Sequence, residues 1–95
     1  MDSKRRAALR AEAHHLAATV HVGHAGVTDS VRASLDDALR NTELVKIQFV
    51  KSAGVDVKDA ANALATSVGA HVVQVIGRTA SLFRAQPDED RGKGR

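Results

Sequence analysis

The chain has 95 residues, a formal net charge of +3, no cysteine and only two aromatic side chains, Phe49 and Phe83. That length supports one domain with one modest core. The missing cysteines exclude disulfides, Cys-bound zinc and a thiol nucleophile, and two rings are too few for a platform that stacks base after base.

Residues 3–17 read as a helix: Ser3 is a capping residue, and Leu9, Ala13 and Leu16 fall on one stripe. Lys4, Arg5, Arg6 and Arg10 line the rest, so the first ten residues hold four bases against Asp2. With no apolar run behind them they are expected not to be a signal peptide. Residues 19–22 are β-prone, and Gly23-His24-Ala25-Gly26 breaks the chain. Thr28 caps a second helix that runs to about Asn41 on Val31, Leu35 and Leu39, with Arg32, Asp36 and Arg40 outside. Residues 44–50 alternate, placing Val45, Ile47 and Phe49 on one face and Lys46 and Gln48 on the other. Ser52-Ala53-Gly54 turns the chain into a third helix over 56–68, with Val57, Ala61, Leu64 and Val68 inward and Gly69 as its stop. Residues 71–76 are apolar on both faces, which predicts a covered or central strand. Gly77-Arg78 has the composition of a two-residue type II′ turn, returning the chain antiparallel over 79–84. The order is α-β-α-β-α-β-β: an α/β (α+β) domain over 3–84 whose two strand–helix–strand crossovers make parallel pairs, followed by a disordered charged tail at 85–95. No apolar stretch approaches the roughly 20 residues of a membrane span.

Four constellations could carry chemistry. The two glycines of Gly23–Gly26 let a backbone approach a phosphate chain, and the N–H groups of the helix after Thr28 point at the same spot. Seven glycines in 95 residues produce about half of one such spacing by chance, so the loop alone does not separate a phosphate cradle from an ordinary turn. The basic set, Lys4, Arg5, Arg6, Arg10, Lys46, Lys51, Arg78 and Arg84, fits salt-dependent phosphate contact or simply a solvated surface. His14, His15, His21, His24 and His71 match no metal motif; His24, inside the loop, can donate to a phosphate. Asp36 and Asp37 point about 100° apart on a helix and cannot act as a dyad. No grouping of nucleophile, base and orienter exists, so no enzyme, metal, cofactor or small-molecule substrate is expected. The basic balance points to a polyanionic partner.

Taken together, the blocks resemble a known family. Leu9-Arg10, Ala13-His14-His15-Leu16 and Val22-Gly23-His24-Ala25-Gly26-Val27-Thr28 are similar to its opening, Glu43-Leu44-Val45-Lys46-Ile47 to its central strand, and Val73–Thr79 with Leu82-Phe83-Arg84 to its closing hairpin. This is the CRM domain (chloroplast RNA splicing and ribosome maturation), in its stand-alone prokaryotic YhbY-like form. The resemblance implies a mixed four-stranded sheet with three helices, akin to the C-terminal domain of translation initiation factor three. It implies RNA binding through Gly23, His24, Ala25, Gly26 and Thr28 with Lys4, Arg5, Arg6, Arg10, Lys46, Arg78 and Arg84 around them. It also implies association with precursors of the large ribosomal subunit; a cytoplasmic location and a monomer are separate expectations. His24 and Ala25 stand where family members often have Lys or Ser and then Asn, and Ala17-Ala18 replace a common Lys-Pro; the Arg cluster at 4–6 is the expected compensation. With so few rings, readout is expected to favour backbone and shape, with Phe83 the one candidate for an exposed stacking contact. Two other readings remain open: a general DNA or RNA binder of chromatin-protein type, and an adaptor that docks on the ribosome with little RNA contact.

Overall fold

A computed structural model describes residues 3–51 and 54–85. Its elements follow the predicted order: α1 (Ser3–Ala13), β1 (Val20–Val22), α2 (Asp29–Asn41), β2 (Leu44–Phe49), α3 (Val57–Val68), β3 (His71–Ile76) and β4 (Thr79–Phe83). The expected tail beyond Ala85, and Ser52 and Ala53 of the expected turn, lie outside the described residues.

The local signals act as their chemistry dictates. Thr28 takes an extended conformation and its hydroxyl accepts from the Val31 N–H at 3.2 Å, starting α2. Asp56 does the same for α3 by accepting from the Asp59 N–H at 3.0 Å, and Gly69, at φ 69°, ends that helix in the left-handed conformation that favours glycine. α1 is shorter than the stripe to Leu16 predicts. His15 N–H donates to Glu12 O and Leu16 N–H to Ala13 O, each at 3.1 Å, so the last turn tightens and the helix stops. Leu16 still packs beside Leu9 and Ala13, delivered by a turn and not by a helix.

The strands lie in the order β1-β2-β4-β3. β1 pairs parallel with β2, aligning Val20 with Ile47 and Val22 with Phe49, as the first crossover predicts. The second crossover makes no neighbouring pair. β4 inserts between β2 and β3, antiparallel to both, so His71–Ile76 is an edge strand and Thr79–Phe83 the central one. The burial explains the exchange: β4 carries no charged side chain and is buried from Ala80 to Phe83, whereas β3 shifts register between Val72 and Gln74 and leaves Ile76 54% exposed.

The sheet separates two cores. On one face Val20, Val22, Val45, Ile47, Phe49, Ala80 and Leu82 pack against Leu35 and Leu39 of α2 and Ala61 and Leu64 of α3. Each large side chain fully buried there contributes roughly 1.5–3 kcal/mol of transfer free energy. On the other face α1 lays Leu9 and Ala13 over Leu44, Val73 and Phe83. Phe83 is therefore not an exposed stacking ring: it is 7% exposed, with the Arg5 guanidinium 5.0 Å from its centroid. Because α1 covers only the end where β2 begins, the same face farther along keeps His21, Lys46, Gln48, Gln74, Ile76 and Thr79 outside the α1 core.

Candidate nucleic-acid interface

The loop between β1 and α2 is a hydrogen-bonded turn. Gly26 N–H donates to Gly23 O at 2.9 Å, which puts His24 and Ala25 at an exposed tip. Gly26 is buried and sits at φ 74°, so a side chain there would strain the backbone. Gly23 has a different role: a Cβ on it would meet nothing within 4 Å, leaving its surface open to an approaching chain. Immediately behind the tip, the N–H groups of Asp29 and Ser30 at the start of α2 have no partner among the described residues. They give this end of the helix a positive partial charge. The Asp29 carboxylate, which would oppose an anion, is engaged by Arg32.

Strand register decides what stands near the loop. Val50 N–H donates to Val22 O at 3.0 Å and Phe49 N–H to Arg78 O at 2.8 Å, so the loop and the β3–β4 turn flank the end of β2 from its two sides. That separation is two strand spacings, roughly 10 Å. Arg78 is held there by donating from Nη2 to Lys51 O at 2.6 Å and to Val50 O at 3.4 Å. Gly77 opens its turn at φ 57° and Arg78 does not take a positive φ, as a type II′ turn requires. Arg78 and exposed Lys51 thus bring fixed positive charge to the loop's end of the sheet.

The remaining expected contacts are distributed differently. Lys46 lies mid-sheet, where its Nζ donates to Leu16 O at 3.2 Å and retains two further N–H groups. Arg5 over Phe83, and Arg6, which donates from Nη1 to Val72 O at 2.9 Å, mark the opposite end of the sheet. Five residues of strand, about 17 Å, separate that end from the loop. The Arg cluster at 4–6 therefore does not replace the charge missing from the loop; it supplies a second basic region. Lys4 and Arg10 have no side-chain partner among the described residues, and Arg6, Arg10 and His14, four apart, form one flank of α1 leading toward the open half-sheet. Arg84 serves the fold instead: it donates from Nη1 to Asp36 Oδ1 at 2.7 Å and Val68 O at 3.0 Å, and from Nη2 to Asp36 O at 3.2 Å, tying β4 to both outer helices. The Arg84 hydrogen bond holds the Asp36 carboxyl below its ordinary value; it outweighs the opposing effect of burial, and the charges of Arg40 and Arg84 add to it.

His21, Gln48, Gln74 and Thr79 join this surface although the sequence reading gave none of them a specific binding role, and Lys51 joins it from the basic set. The alternation of Val20-His21-Val22 and of residues 44–50 placed His21 and Gln48 on one face; what was hidden is that α1 leaves that half uncovered. Among the described residues no three His, Asp or Glu side chains group to hold a metal ion, and no helix is long and apolar enough to cross a membrane.

The chain is thus a small α/β domain, a mixed four-stranded sheet with helices on both faces and a Gly-x-x-Gly turn feeding a helix N-terminus, and it falls within a known family. The family model of the CRS1 / YhbY (CRM) domain matches residues 1–84, and the chain belongs to that family. It is 33% identical over 84 residues to the "Probable RNA-binding protein YqeI" of Bacillus subtilis, covering 88% of each chain. It is 36% identical over 93 residues to the "RNA-binding protein" of Haemophilus influenzae, covering 95% of this chain and 89% of the relative. The solution structure of SAV1595 from Staphylococcus aureus superposes with a TM-score of 0.79 at 28% identity, covering 90% of each chain, so the fold is shared.

Proposed function

We propose that this protein binds structured RNA noncovalently, gripping its backbone, and that the RNA is ribosomal RNA in precursors of the large subunit. The observation that carries the reading is the convergence at one end of the sheet of the exposed Gly23–Gly26 turn, the open N–H groups of α2 and the cations Arg78 and Lys51. Backbone amides and a helix terminus suit phosphate oxygens, and the Arg and Lys charges neutralise neighbouring phosphates. Names given to the relatives from Bacillus subtilis and Haemophilus influenzae support RNA as the polyanion. The ribosomal assignment follows the resemblance to stand-alone members of the family, and the protein is proposed to act as a cytoplasmic monomer. Binding itself is the activity proposed.

Crosslinking in cells followed by sequencing of the bound RNA tests the assignment. Reads concentrated in large-subunit ribosomal RNA are the expected result. Reads spread over messenger RNA, or recovery of chromosomal DNA in their place, would overturn it. Competition between structured ribosomal RNA and duplex DNA at fixed salt separates an RNA binder from a chromatin-type protein in vitro.

A further inference from the structure

The open half of the sheet holds a cavity of about 200 Å³ between the end of α1 and strands β2, β4 and β3, lined by His14, Lys46, Gln74, Ile76, Thr79 and Ser81. Drug-sized ligands occupy roughly 300–1,000 Å³, so this space suits one small ring system. Its walls have unusual chemistry for a surface hollow. Ser81 is the single buried polar residue among the described residues, 1% exposed, and it belongs to the cavity lining. Thr79 Oγ1 donates to Ile76 O at 2.8 Å and keeps its lone pairs; the Gln74 amide offers both donors and an acceptor. Ile76 supplies exposed apolar surface, and the His14 imidazole a flat ring. Lys46 has two N–H groups to spare beside the cavity.

Donors and acceptors on the floor, a flat or apolar wall and a cation at the rim together match a neutral heteroaromatic ring joined to an anion. Two other hollows lack this combination: one sets Arg5 beside Glu12 and Glu43, the other Arg32 beside Asp29 and Asp36, so carboxylates outnumber the cation in each lining. We infer that the cavity is a subsite for one unpaired nucleobase of the bound RNA, with Lys46 on the adjoining phosphate. This rests on the RNA-binding reading above. It makes RNA that can swing a base out of its stack a better ligand than a perfect duplex, because a paired base presents no free ring or edge to the cavity.

The test uses the full chain and two RNA hairpins of equal length, one carrying a single unpaired nucleotide and one fully paired. The bulged hairpin is expected to bind about tenfold more tightly, the scale of one stacked base. Ile76→Ala, Gln74→Ala and Ser81→Val are each expected to pull that ratio toward one. Ile76 is exposed, so its variant keeps the test valid if the Ser81 variant does not fold. The Gln74 side-chain amide resonances should move when the bulged hairpin is titrated and stay put with the paired one. Equal binding of the two hairpins by the native chain, or an undiminished ratio in the folded variants, overturns the subsite while leaving RNA binding standing. Binding of neither hairpin overturns the RNA reading and the subsite with it.

Discussion

Replacing His24 and Ala25 together with aspartate isolates what the loop contributes. Both residues are exposed at the tip of the turn, and the Gly26–Gly23 hydrogen bond that closes it is backbone to backbone, so H24D/A25D should keep the fold. Two carboxylates would then face the position proposed for RNA phosphates. Unit charges 4 Å apart interact by about 1 kcal/mol in bulk water and about 4 kcal/mol at the effective dielectric near a protein surface. Even at the lower figure, two new repulsions amount to about 2 kcal/mol, or about a thirtyfold loss of affinity. Fluorescence anisotropy with a labelled ribosomal RNA fragment at fixed salt measures the loss, and circular dichroism confirms the fold. Affinity within twofold of the native value, with an unchanged melting curve, would refute the placement of phosphate at this loop.

Two further expectations follow from the charges around it. Lys4→Ala with Arg10→Ala removes two cations that are not tied into the fold, so the slope of log affinity against log salt should fall by up to about 1.8, measured by titrations at several salt concentrations; an unchanged slope would remove α1 from the interface. For Asp36, whose pKa is lowered in the folded state by the Arg84 hydrogen bond, the ionised form is the stabilising one. Its contribution is complete above the unfolded carboxyl value of about 3.9 and is lost as pH falls through the lowered folded value. Denaturant unfolding between pH 2 and 6 should therefore show a weaker acid-dependent loss in Asp36→Asn than in the native protein, and parallel pH profiles would exclude the Arg84 clamp as its source.

The split of the basic residues shows where sequence reasoning ends. A helix, a strand or a capped turn is governed by neighbours within four or five positions, so Thr28 as cap, Gly69 as stop and the alternation of Val45, Ile47 and Phe49 were all legible, and so was the Gly23–Gly26 turn. The family blocks were legible for the same reason, being short and ordered along the chain. What each arginine does depends on residues far away. Arg84 meets Asp36 across 48 positions and Arg6 meets Val72 across 66, and nothing local distinguishes these from Arg10.

The sequence by itself determined seven elements in their order, their caps and turns, and the two faces of β2, because periodicity and backbone preference are local properties. Only the tertiary structure decided that β4 would be central and β3 at the edge, that Phe83 would be buried beneath α1 and Arg5, and that half of one sheet face would stay open. Those outcomes follow from which surfaces bury the most apolar area when the whole chain is packed at once. The small count of aromatic rings acquires its meaning there: both are in the core, and the open half of the sheet is built from amides, hydroxyls, imidazoles and cations around exposed Ile76.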